Sequence, residues 1–297
     1  MLCSKAKAFF AEAFEFVFLI LCLEDILSNL ISRILTALIF GFITLCLTWV
    51  GGTLFFLFVW VIGGFILYEW MSITKEKWHI LQKILASVFY LVFGAFLISN
   101  VSASLIFCIL IALAALLAIG PMRKSVWVFF GFLYVCFPVV ALSFLRGHEP
   151  LGFWVVIFLF TIVWGTDIAG YFSGRAFGGP KLAPQFSPNK TWMGAIGGTF
   201  VGVSGGILIA FQFFDLNSAV FFVLLLALIL SIVSQMSDLG QSWLKRQFSV
   251  KDSGSLLPGH GGFMDRMDGL VGAAFLLYLI GSFMSNMDTP FNLFCMV

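Results

Sequence analysis

Residues 217 to 246 read NSAVFFVLLLALILSIVSQMSDLGQSWLKR. The first part, 217 to 237, is apolar and has the length of helix, about 17 to 25 residues, that crosses roughly 30 Å of hydrocarbon. If the helix continues beyond that run, Ser234, Asp238, Ser242 and Lys245 follow one another at intervals of four, four and three and form a single polar stripe. A carboxylate, two hydroxyls and an ammonium then face one cavity. Eight more apolar runs are legible at 34 to 50, 52 to 73, 84 to 100, 102 to 121, 125 to 145, 151 to 170, 192 to 214 and 270 to 287. The expected fold class is all-α, a polytopic integral membrane helical bundle of about nine transmembrane helices. Composition agrees: of 297 residues 61% are hydrophobic and only 10% charged, with a mean hydropathy of +1.10, which excludes a water-soluble domain of ordinary surface.

The basic residues test this arrangement, because loops on the cytoplasmic side retain Lys and Arg. With Arg33 inside and the spans alternating, every Lys and Arg except Arg146 falls on the inner side. Two polar segments, 174 to 190 and 238 to 268, then face the cytosol, and the carboxyl terminus lies outside. An inner or plasma membrane location follows. The net charge of +2 is too small to indicate a nucleic-acid partner, and none is expected. Six cysteines show no paired spacing, so neither disulfides nor zinc are expected.

Three regions are read along the chain. Residues 1 to 31 form an amino-terminal extension, expected to be an amphipathic helix at the interface. Residues 32 to 150 are a transmembrane scaffold, and 151 to 297 a catalytic transmembrane region with cytosolic polar loops. Glu69 is the one acid inside the scaffold spans. Its carboxylate either binds something within the bundle or reaches the interface from the helix end.

Residues 164 to 198, WGTDIAGYFSGRAFGGPKLAPQFSPNKTWMGAIGG, place Asp167 a turn or two inside its span, where an unpaired charge is costly and a partner or cation is expected. Arg175, Lys181 and Lys190 follow among glycines and prolines. Ser187, Pro188, Asn189, Lys190 and Thr191 then lead into a new helix whose free backbone donors could receive an anion. Residues 251 to 269, KDSGSLLPGHGGFMDRMDG, carry Asp265 and Asp268 on one face if helical. Magnesium suits this inventory, with plentiful oxygen donors and His260 as the only nearby imidazole. An orienting role for His260 is favoured over direct proton transfer.

Ser242, Lys245, Arg246, Lys251, Asp252, Pro258, Gly259, His260, Gly261, Gly262, Asp265, Arg266 and Asp268 together resemble the signature of the CDP-diacylglycerol synthases, the phosphatidate cytidylyltransferases. The earlier segments, Asp167 to Gly178 and Ser187 to Gly194, are similar to that family as well. Three positions depart from its pattern: Ser237 stands for a glycine, Gln241 for a glutamate and Met193 for an acid. The resemblance implies transfer of CMP from CTP to phosphatidate, giving CDP-diacylglycerol and pyrophosphate. It implies magnesium on Asp238 and Asp265, with Asp268 and Asp167 as further ligands, and leaves room for a second, monovalent cation. Asp238, Asp265, Lys245, Lys251 and His260 become catalytic candidates. Arg175, Ser187, Asn189, Lys190, Thr191, Ser242, Arg246, Asp252 and Arg266 become substrate-binding ones. The implied partners are CTP, phosphatidate and membrane lipid, with a homodimer left open. Two other readings stay open: a CTP-dependent enzyme acting on another membrane lipid, and a secondary transporter binding ions at Asp167 and Glu69.

Overall fold

The computed structural model describes residues 36–99, 101–119, 125–214, 219–254, 256 and 261–295. The expected interfacial helix in residues 1 to 31 and the role of His260 lie outside these. Among the described residues nine α-helices follow in order: α1 Thr36–Val50, α2 Gly52–Ile73, α3 Ile80–Ile98, α4 Ala103–Ile119, α5 Val126–Arg146, α6 Pro150–Phe177, α7 Trp192–Phe213, α8 Val220–Gln247 and α9 Met264–Met284. Seven are long and apolar enough to cross a membrane; α1 and α4 are apolar but shorter. Hydrocarbon offers no partner to a backbone N–H or C=O, so each apolar run must satisfy its own polar groups as a helix.

The all-α reading meets one local exception. Lys181–Ala183 (β1) and Ser187–Thr191 (β2) form an antiparallel hairpin between α6 and α7, with Lys181 opposite Thr191 and Ala183 opposite Ser187. The segment SPNKT is therefore a strand that stops at the helix, and Thr191 caps α7. Two helices also overshoot their apolar runs. α6 continues past residue 170 to Phe177, and α8 past 237 to Gln247, while α9 starts at Met264, ahead of residue 270.

The chain crosses back and forth. Gln82 of α3 donates through Nε2 to the carbonyl of Leu117 at the end of α4 (2.8 Å), and Trp70 near the end of α2 donates to the carbonyl of Trp127 at the start of α5 (3.1 Å). At the opposite end the Ala103 N–H at the start of α4 meets Asp288, just after α9 (2.6 Å). The end shared by the last turns of α2, α4, α6 and α8 carries Lys75, Lys77, Lys83, Arg175, Lys181, Lys190, Lys245, Arg246, Lys251 and Arg266. Arg146 sits at the other end and is buried. Its guanidinium donates to the carbonyls of Thr48 (2.5 Å) and Trp49 (2.9 Å), which the end of α1 leaves without helical partners, and to that of Glu149 (3.1 Å). The single exception to the charge bias is thus a cap for α1. Gly51, at φ 68°, lies so close that a Cβ there would meet Arg146 Nη2 at 2.3 Å.

The closest packing lies between α6 and α7. Glycines 194, 198, 202 and 206 recur every fourth residue along α7, and α6 answers with Gly170 and Gly174. A Cβ at Gly198 would sit 2.5 Å from the carbonyl oxygen of Thr166, and one at Gly202 2.3 Å from Thr166 Oγ1 and 2.7 Å from the Ile162 carbonyl oxygen. Small residues at this spacing let two backbones approach where no hydrophobic drive exists between helices. The seam holds the hairpin, which joins the same two helices, in place. Gly202→Val should destabilise the bundle by about 1–3 kcal/mol, the usual cost of overpacking. Gly240→Ala, inside α8 where a Cβ meets nothing within 4 Å, should leave the thermal midpoint in detergent level or slightly raised, since Ala favours a helix over Gly.

Candidate functional site

The overshoot of α6 and α8, the hairpin and the first turns of α9 meet at the basic end of the bundle. The polar stripe expected on α8 is present, since the helix is unbroken through Lys245. Two ion pairs organise the site. Lys190, from β2, pairs with Asp238 of α8; Lys245, two turns further along α8, donates to Asp265 of α9 (2.7 Å). Both partners of the second pair are largely buried, with side chains 13% and 11% exposed. Removing one member of such a pair leaves an uncompensated charge, a loss on the order of 3–5 kcal/mol.

Asp265 is held from several sides. Its second oxygen accepts the backbone N–H of Ser253 (2.9 Å) and of Gly262 (3.2 Å). Gly261, at φ 84°, allows the turn that aims the Gly262 N–H at Asp265. Asp268, one turn later, belongs to a different group. Its charge, that of Asp238 and that of Asp167 act on one another, and Lys190 is the cation they share. Three carboxylates around one ammonium leave a negative excess that oxygen-seeking divalent cations match. Among the described residues no three such side chains form a ready-made metal cage. Magnesium is commonly held by one or two carboxylates plus substrate phosphates, and this donor set fits that pattern.

Other residues singled out in the sequence are placed differently. Arg246 is exposed and donates to the carbonyls of Phe186 (3.4 Å) and Val250 (3.5 Å), clasping the hairpin turn to the end of α8. Arg175 is exposed and donates to Tyr171 Oη on its own helix (3.0 Å). Asn189, Lys251, Asp252 and Arg266 are exposed at the rim; Ser187 and Ser242 are half-buried. Thr191 is buried, and its hydroxyl accepts the Gly194 N–H (3.1 Å), while the Trp192 N–H donates to Pro180 (3.1 Å). Two of the α7 amino-terminal donors expected to await an anion are therefore already bonded.

The residue that sequence reasoning left undecided is Glu69. Its side chain is buried, 1% exposed, and it does not reach the interface. One carboxylate oxygen accepts the Phe263 N–H (2.9 Å); the other accepts the Met264 N–H (2.8 Å) and the Ser253 hydroxyl (2.9 Å). Phe263 stacks on Phe65, one turn before Glu69, with ring centroids 4.7 Å apart. A scaffold helix thus holds both ends of the loop whose backbone positions Asp265. Gly254 and Gly262 permit it, since a Cβ at Gly262 would meet Glu69 Oε2 at 2.5 Å. The signal was an acid at the end of an apolar span; its partners lie nearly two hundred residues away in the chain.

Two of the three departures from the family pattern resolve as helix contacts. The Ser237 hydroxyl donates to the Asp268 carbonyl, and Gln241 Nε2 donates to the Met264 carbonyl (2.5 Å), so both clip α8 to α9. Met193 is exposed on the first turn of α7.

A family model described as the cytidylyltransferase family matches residues 31–284. A protein of Brucella suis biovar 1 (strain 1330) named phosphatidate cytidylyltransferase is 49% identical over 271 residues, covering 90% of this chain and 99% of its own length. Proteins of the same name from Rickettsia bellii (strain RML369-C) and Staphylococcus haemolyticus (strain JCSC1435) are each 32% identical. They cover 71% and 80% of this chain, and 95% and 93% of their own lengths.

The Glu69 contacts generate a direct test. Glu69→Ala leaves two backbone donors without partners, at about 1–3 kcal/mol each. Tryptic cleavage at Lys251 in detergent should accelerate about tenfold or more, and Glu69→Gln, which keeps one acceptor oxygen, should fall between it and the parent protein.

Proposed function

The chain belongs to the cytidylyltransferase family, and we propose that it transfers CMP from CTP to phosphatidate at the cytosolic membrane face, forming CDP-diacylglycerol and pyrophosphate. The names of its relatives supply the substrate class. The observation that carries the reading is the convergence of Lys190–Asp238 and Lys245–Asp265 at one end of an apolar bundle. There a water-soluble polyanion and a lipid headgroup can meet. The gathering of basic residues at that same end supports the cytosolic orientation, and the last helix then runs to the outer side.

A phosphate oxygen of phosphatidate attacks the α-phosphorus of CTP. The new P–O bond forms as the bond to the pyrophosphate group breaks. Both reactants are anions, so alignment and charge neutralisation are the main requirements. Lys190 and Lys245 present ammonium groups at fixed depth, each tethered to an aspartate that keeps it from drifting toward solvent. Arg246, Lys251 and Arg266 at the rim attract the triphosphate. The attacking phosphate is largely ionised near neutral pH, so no strong base is needed. Asp238 and Asp268, with Asp167 near them, would hold magnesium, which would supply neutralisation at the CTP phosphates and the departing pyrophosphate, while Asp265 fixes Lys245.

Purified protein in liposomes with phosphatidate should move label from α-labelled CTP into lipid, and only when magnesium is supplied. Label from γ-labelled CTP should stay in the aqueous phase. Lipid labelling from the γ position would indicate phosphoryl transfer and defeat the assignment. Asp238→Ala and Asp265→Ala should each slow transfer at least about a hundredfold, in line with the loss of a group that organises charge in the transition state.

A further inference from the structure

Between α7 and α8 lies a groove of about 690 Å³. Its α7 wall runs from Trp192 to Ile207 and its α8 wall from Leu224 to Leu239. Fifteen residue rises on each side correspond to about 22 Å of helix, more than the hydrocarbon depth of one leaflet, half of roughly 30 Å. Among the described residues no charged side chain lines it, and Phe200 and Ile232 leave it open at the side, 72% and 44% exposed. One end is different. Gln235 and Leu239 flank Asp238 on α8, and Leu182 of the hairpin, next to Lys181, borders the same end. An apolar trough whose end carries Gln235 and borders the Lys190–Asp238 pair complements an amphiphile with a phosphate head.

The wall also carries a polar relay. Thr166 and Ser231 are hydrogen-bonded (2.8 Å), the Ser231 hydroxyl donates to Thr199 (3.3 Å), and Gln235 Nε2 donates to the same Thr199 oxygen (2.8 Å). Thr199 therefore accepts twice. Among the described residues none accepts its own hydroxyl proton, and a donor left over beside hydrocarbon needs an acceptor. Gln235 precedes Asp238 by three residues, about 4.5 Å along the helix, comparable to the few bonds of glycerol between a lipid phosphate and its nearest ester.

We propose that this groove seats an acyl chain of the lipid substrate, and that Thr199, oriented by Gln235 and Ser231, donates its hydroxyl proton to the ester carbonyl. The inference rests on the cytidylyltransferase reading above and adds a determinant of lipid choice. Thr199 is a substrate-binding residue and takes no part in bond exchange.

Transfer from α-labelled CTP is measured with diacyl phosphatidate, its dialkyl ether analogue and a dioctanoyl form. Thr199→Val, which keeps shape and removes the hydroxyl, should raise KM for diacyl phosphatidate about fivefold, as expected for one neutral hydrogen bond. KM for CTP and turnover of the ether analogue should stay unchanged. Ser204→Trp, which fills the groove about 7.5 Å beyond Thr199, should depress use of long-chain phosphatidate while sparing the dioctanoyl form. Leu208→Trp, outside the groove, should leave chain preference as in the parent. In the absence of CTP, a phosphatidate bearing a photoactivatable acyl chain should label Phe200 or Met236. Equal losses for ester and ether, unaltered chain-length preference, or labelling elsewhere would each overturn the assignment. So would conversion of a dimer to a monomer by Ser204→Trp, which would make the groove a contact between copies. Failure of the parent protein to label any lipid would instead strike the function proposed above.

Discussion

Glu69 reaches from α2 to three donors on the segment that leads into α9: the Ser253 hydroxyl and the N–H groups of Phe263 and Met264. That carboxylate ties the start of α9 to the scaffold. Ser253 and Gly262, the residues flanking its contacts, present their own N–H groups to Asp265, and Asp265 in turn receives Lys245. A buried acid is costly unless its oxygens are bonded, and buried backbone donors are costly unless accepted. Each satisfies the other here. The result is a loop fixed at both ends with no contribution from helix propensity.

A second constraint comes from the α6–α7 seam. Because glycines let the two backbones touch, the chain between them has to turn tightly, and it does so as a hairpin that brings Lys190 over Asp238. Asp167, on the wall of the same seam, joins Asp238 and Asp268 in one electrostatic group. The site is therefore the meeting of two independent devices. One is the glycine seam with its hairpin; the other is the acid latch with its loop. α8 is the element common to both, carrying Asp238 toward the first and Lys245 toward the second.

Much of this was legible before any coordinates. Apolar runs read as helices because hydrocarbon leaves the backbone no other option, and the stripe Ser234, Asp238, Ser242, Lys245 follows from helical periodicity alone. α6 and α8 both run past the ends of their apolar stretches, as the stripe on α8 requires. Hydropathy falls at residues 170 and 237, but polar side chains that find partners on neighbouring helices do not stop the backbone from coiling. The SPNKT segment leads into α7 as its sequence suggests, but its strand pairing is not legible, because five residues with one proline carry too little pattern to declare a strand. Ser237 and Gln241 looked like losses from a family pattern. In the structure they bond carbonyls of α9, a role that depends on which helix lies opposite.

The chain by itself determined the membrane class, the order of the helices, the gathering of cations at one end and the identity of the aspartates, since these follow from composition, length and periodicity along one strand of sequence. Only the tertiary structure decided that Asp265 answers to Lys245, that Lys190 answers to Asp238, that Arg146 is a cap and that Glu69 holds both ends of the loop before α9. Such pairings are set by which donors are brought within about 3 Å, and residues 69 and 253 come that close only once the bundle has closed around them.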